Sequence, residues 1–102
     1  REMGKTLLGR LSETLSPLPE VADVRGRGLL LGIDFRDPNT RRPMTGMAVR
    51  VARFALQEGL LVLPAGSAGH VLELSPPLVV TEEQLDWAVV CLKRVIRAAL
   101  AQ

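Results

Sequence analysis

The sequence predicts an α+β fold: a small, mainly antiparallel sheet of about four strands with helices packed on one face, in the order α-β-β-α-β-β-α. Three observations carry this expectation. Three segments repeat apolar residues at helical spacing. Four short apolar runs come in two pairs, each pair joined by a glycine- or small-residue loop. No strand alternates singly with a helix, so nothing demands a purely parallel sheet.

The first helix runs from Met3 to Leu15. Met3, Leu7, Leu8, Leu11 and Leu15 form one apolar face, with Lys5, Arg10, Ser12 and Glu13 on the others. Pro17 and Pro19 stop it. "VADVRGRGLLLGIDF", Val21 to Phe35, reads as two strands joined at Arg25-Gly26-Arg27-Gly28. Gly32 inside the second strand predicts a bulge or a close approach by a neighbouring element. Arg36 to Gly46 is a polar loop with a turn at Asp37-Pro38-Asn39. A second helix starts at Thr45 or Gly46, has Met47, Val51, Phe54 and Ala55 as its apolar face, and ends at Gly59 in the C′ position. Leu60 to Pro64 reads as a short buried strand, and His70 to Leu74 as the fourth strand. Thr81-Glu82-Glu83-Gln84 spells a capping box. The last helix then buries Leu85, Ala88, Val89, Leu92, Val95, Ile96 and Ala99, with Trp87 left to cap that core or to meet another domain.

Bulk composition excludes several classes. The chain has 102 residues, 47% hydrophobic and 24% charged, which suits one modest domain rather than disorder. The net charge is +2, the arginines are spread out and there are three aromatics, so nucleic-acid binding is not expected. No apolar run is long enough to span a membrane, and no signal-peptide core follows the first residues. Cys91 is the one cysteine, so no internal disulfide exists and a cytoplasmic setting is expected. The chain opens on Arg1 and is already helical there, which reads as a piece of a longer protein.

Most catalytic constellations are absent. His70 is the one histidine, so no histidine-rich metal cluster can form. Cys91 lies mid-helix on an apolar stretch, a poor place for a nucleophile. The glycines of "GRGLLLG" lie between strands and open no helix, so they are not a dinucleotide fingerprint. Lys5 and Lys93 sit on solvated helix faces. The one feature out of place is Glu73, a carboxylate among Val71, Leu72, Leu74 and Leu78, just before Pro76-Pro77.

Two stretches resemble one family. "VADVRGRGLLLGIDF" resembles the V-x-x-V-R-G-x-G-L-x-x-G-[IV]-[ED] segment of class III pyridoxal-phosphate aminotransferases, the group that includes 4-aminobutyrate and ornithine aminotransferases. "EGLLVLPAGSAGHVLELSPPLVVTEEQLDWAVVCLKRVI" resembles the C-terminal end of the same family, with G-L-L-L-x-P, then N-V-I-R-x-x-P-P-L-x-I, then T-x-E-E-x-D. The likeness covers nearly the whole chain in matching order and spacing. It implies that residues 1–102 are the small C-terminal α+β domain of such an enzyme. It also implies a parent that uses pyridoxal phosphate to move an amino group between an amine or amino acid and a 2-oxo acid, usually as a homodimer. The Schiff-base lysine and the other cofactor contacts would belong to the parent's large domain. This piece would close one wall of the substrate pocket and would be inactive alone.

Glu73 departs from the family pattern. Its place in the strand matches an arginine that grips a substrate carboxylate in many members, so the charge is reversed. A glutamate there repels a carboxylate. Three readings follow: Glu73 accepts the ammonium of a diamine or other ω-amine, it pairs with an arginine of the large domain, or it lies exposed on an edge strand. A free-standing α+β binding, regulatory or dimerisation module is the alternative to the enzyme reading.

Overall fold

The structure, a computed structural model, describes residues 2–27, 30–60, 62–74 and 81–102. Its elements follow the expected order: α1 (Glu2–Leu15), β1 (Val21–Arg27), β2 (Leu30–Phe35), α2 (Met47–Gln57), β3 (Leu63–Ala65), β4 (Val71–Leu74) and α3 (Glu82–Leu100). The four strands form one antiparallel sheet in the order β1-β2-β4-β3. The expected features at Gly28, Leu29, Leu61, Pro76, Pro77 and Leu78 lie outside the described residues.

Strand residues alternate between faces, so register decides what each face carries. Ile33 opposes both Val24 and Leu72, and Leu31 opposes both Gly26 and Leu74. This apolar face meets the helices. Leu7, Leu11 and Leu15 of α1, Met47, Val51 and Ala55 of α2, and Leu85, Val89, Leu92, Val95, Ile96 and Ala99 of α3 are buried in one cluster with it. Cys91 joins that cluster, and burial pushes its thiol pKa up, as expected of a packing residue rather than a nucleophile. Trp87 is about half exposed and Ala88 only partly buried.

The helix ends are chemically specified. Thr81 accepts from the Gln84 amide at 3.1 Å, and the Gln84 side chain accepts from the Thr81 amide at 3.0 Å, completing the capping box. Gly59 has φ +87°, its amide donates to the Leu56 carbonyl, and the Leu60 amide donates to the Ala55 carbonyl. That is a Schellman motif, whose left-handed residue favours glycine. At the other end of α2, the amides of Gly46 and Ala48 donate to the carbonyls of Ala68 and Gly69, so the small-residue loop before β4 caps this helix. Asp37 holds its loop by accepting from the Asn39 and Thr40 amides, which keeps its carboxyl below the usual range.

Three expectations are corrected. Arg25, Gly26 and Arg27 do not form the turn; they belong to β1 and pair with Gly32, Leu31 and Leu30. A Cβ at Gly26 would be a tight fit, 3.1 Å from Leu31 Cδ2 and 3.2 Å from Cδ2 of Leu8, the side chain that α1 lays against the sheet. The irregularity in β1–β2 lies between Val21 and Asp23, and the ladder runs regularly through Gly32. The third strand is Leu63–Ala65, not Leu60–Pro64: the Schellman bond of Leu60 keeps the chain curled after α2, and β3 runs along the sheet edge with Leu63 and Pro64 exposed.

Two consequences are measurable. Thr81→Ala should lower the unfolding free energy by about 1 kcal/mol in urea titrations, the usual worth of a cap. Leu11→Ala, at a side chain with no exposure, should lower it by about 2–5 kcal/mol.

Candidate functional site

The helices leave the other sheet face open. On it stand Asp23 and Arg25 from β1, Leu30, Gly32 and Asp34 from β2, Val71 and Glu73 from β4, and Leu63 and Ala65 from β3. One row crosses all four strands: Arg25, Gly32, Glu73, Leu63. A concavity of about 340 Å³ lies over the Arg25, Gly32 and Glu73 part of this row, walled by Arg25, Leu30, Val71 and Glu73 around Gly32. The register therefore seats Glu73 on an interior strand beside an open cavity. The reading of Glu73 as an exposed edge-strand residue is corrected, because β3 covers the edge that β4 would otherwise present.

A polar cluster borders the cavity. Arg25 Nη1 lies 3.2 Å from Asp23 Oδ2 and 3.5 Å from Asp34 Oδ2. Arg36 Nε lies 3.3 Å from Asp34, and Arg36 also donates to the Arg41 carbonyl. His70, buried just before β4, places Nε2 3.9 Å from Asp34 Oδ1, beyond hydrogen-bond reach. Both guanidiniums are thus engaged by aspartates. Glu73 has no ion pair among the described residues. Leu30 and Leu63, 48% and 60% exposed, add apolar surface on either side of Glu73.

Such a site can take a cation with an apolar stem. At about 4 Å and an effective dielectric near 20, unit charges interact by roughly 4 kcal/mol, favourably for an ammonium and unfavourably for a carboxylate. Desolvation of the half-buried Glu73 reduces the net value. The sequence singled out Glu73, and the structure places it in the cavity. Arg25, Gly32 and Leu63 as its neighbours were not anticipated; the signal available was the polar residues at 23, 25 and 34 interrupting apolar runs.

Pyridoxal phosphate does not fit the residues present here. Lys5 and Lys93 stand on α1 and α3, the layer on the opposite side of the sheet from the cavity. Among the described residues no cluster of histidine, cysteine and carboxylate side chains is suited to a metal. No helix of the described residues is long and apolar enough to cross a membrane.

The ion cluster makes a stability prediction. Asp34→Ala leaves two guanidiniums adjacent with no shared carboxylate. Arg25 and Arg36 are partly solvated, so screening limits the loss to about 2 kcal/mol. Urea titrations at low and high salt should show this deficit, smaller at high salt.

Comparison with known proteins places the geometry in context. Residues 1–96 match the family Aminotransferase class-III. An alanine/serine racemase of Pyrococcus horikoshii is 33% identical over 99 residues, covering 97% of this chain and 21% of the racemase. An acetylornithine aminotransferase of Bacillus cereus is 37% identical, covering 94% of this chain and 22% of that enzyme. The structure of an amine transaminase from an uncultivated Pseudomonas species, in its PLP-bound form, superimposes with a TM-score of 0.81 at 30% identity, covering 96% of this chain and 22% of that one. The chain thus spans about a fifth of the length of the relatives it matches. With a family match over nearly its whole length, the chain belongs to the class III aminotransferases.

Proposed function

We propose that this chain is the small C-terminal domain of a pyridoxal-phosphate-dependent aminotransferase, and that it forms the wall of the substrate pocket that receives the far end of the amino donor. The parent moves an amino group between an amine or amino acid and a 2-oxo acid, and works as a homodimer. Its large domain holds the cofactor, which supplies the electron sink for the amine chemistry. The domain alone is inactive. Support comes from the family membership, the acetylornithine aminotransferase and amine transaminase among the relatives, and the placement of both lysines on the far layer of this fold.

The observation that carries the substrate reading is Glu73. It stands at the place of the family's carboxylate-gripping arginine, in an interior strand, over an open cavity, with no cation engaged among the described residues. The donor's outer end is therefore an ammonium, and the donor class is a diamine or a similar ω-amine. Glu73 accepts hydrogen bonds from that ammonium, and the charge reversal disfavours donors that end in a carboxylate.

The test uses the full-length parent. Its visible cofactor band should bleach on adding putrescine and respond more weakly to a terminal ω-amino acid. Glu73→Gln should lower kcat/KM for putrescine by about 10- to 100-fold, the loss expected for one charge-assisted contact. Glu73→Arg should move the preference to the ω-amino acid. Preference for the ω-amino acid in the unaltered enzyme, unchanged by Glu73→Arg, would show that Glu73 serves the large domain instead.

A further inference from the structure

We propose that Gly32 sets the length of donor that the Glu73 cavity admits. This rests on the pocket-wall reading above. Gly32 stands in the middle of β2, directly between Arg25 and Glu73 in the row that crosses the sheet. Glycine in a strand interior costs stability through backbone entropy and an absent side chain, so its presence asks for a reason. The backbone gives none: Gly32 is not among the positive-φ residues. The ladder gives none, since pairing is regular on both sides. Packing among the described residues gives none either. A Cβ built there meets only Arg25 Cγ and Nε and Val71 Cγ1, at 3.8–3.9 Å, which is ordinary van der Waals contact. Gly26 contrasts with it, because there a Cβ would press on Leu8 and Leu31. What the missing side chain at Gly32 does provide is depth. It forms the floor of the cavity, with Glu73 on the rim.

A donor whose ammonium reaches Glu73 lays its stem across that floor. A methyl group at residue 32 raises the floor by about the size of one methylene. The longest donors then lose their seat first, while short ones still fit. A methylene too many in a tight pocket discriminates by roughly 10-fold or more.

The experiment compares the full-length holoenzyme with its Gly32→Ala variant on two homologous donor series. One series is the linear diamines from trimethylene- to hexamethylenediamine; the other is the terminal ω-amino acids of the same lengths. Thermal unfolding and cofactor absorbance are recorded alongside. The expected result is that Gly32→Ala shortens the preferred donor, raising KM for the longer members by about 10-fold, with the melting temperature and cofactor band unchanged. If the unaltered enzyme favours the ω-amino acids, the ammonium reading of Glu73 fails, while a shortened preference within that series still supports the role of Gly32. A uniform fall in activity across all lengths with a lowered melting temperature or cofactor content would overturn the proposal, because it marks Gly32 as a contact with the rest of the enzyme. Unchanged length preference in both series overturns it as well.

Discussion

Everything in this domain depends on the pairing of β2 with β4. That one ladder joins the strand from the first half of the chain to the strand from the second, and it lies at the centre of the sheet. It sets Ile33 against Leu72 and Leu31 against Leu74 on one side, and Gly32 against Glu73 and Asp34 against Val71 on the other. The first set builds the core that holds all three helices. The second builds the cavity wall. Because the side-chain period is two, a slip of β4 by one residue would drive Glu73 into the helices and expose Leu72. The burial energy of the apolar residues therefore fixes the position of the polar ones. The site inherits its geometry from the core.

Capping and turn chemistry support the same ladder from its ends. The loop carrying Gly66 and Gly69 delivers the chain into β4 and also caps α2 with its carbonyls. The Schellman motif at Gly59 releases the chain so that β3 can pair along the edge of β4. Arg10 bridges α1 to α3 at the surface through Glu82 and Asp86. On the open face Asp34 pairs with Arg25 and Arg36, and Glu73 has no ion pair among the described residues.

Much of the fold was legible in the sequence because it is written in local periodicity and local caps. Leu7, Leu11 and Leu15 announce α1, Thr81 and Gln84 announce the start of α3, and Gly59 announces the end of α2. Errors arose where a residue's role is set by a distant neighbour. Gly26 read as a turn glycine, but it lies in β1, where Leu31 and Leu8 of α1 crowd the space a side chain would take. Leu60 to Pro64 read as a buried strand from its apolar content, but a hydrogen bond back to Ala55 ties Leu60 to the end of α2, and the strand is Leu63–Ala65. Glu73 was legible as an anomaly because it interrupts an apolar strand. Its surroundings were not, since Arg25, Gly32 and Leu63 reach it only through the register of three strand pairs.

The central claim is that Glu73 faces the cationic end of a bound donor. A crystal structure of the full-length protein with a diamine bound tests it most directly. The account predicts the Glu73 carboxylate at about 2.8 Å from the far ammonium, with the stem lying over Gly32. A Glu73 carboxylate held instead by an arginine from elsewhere in the protein, with the diamine's outer end pointing away from this sheet, would contradict it.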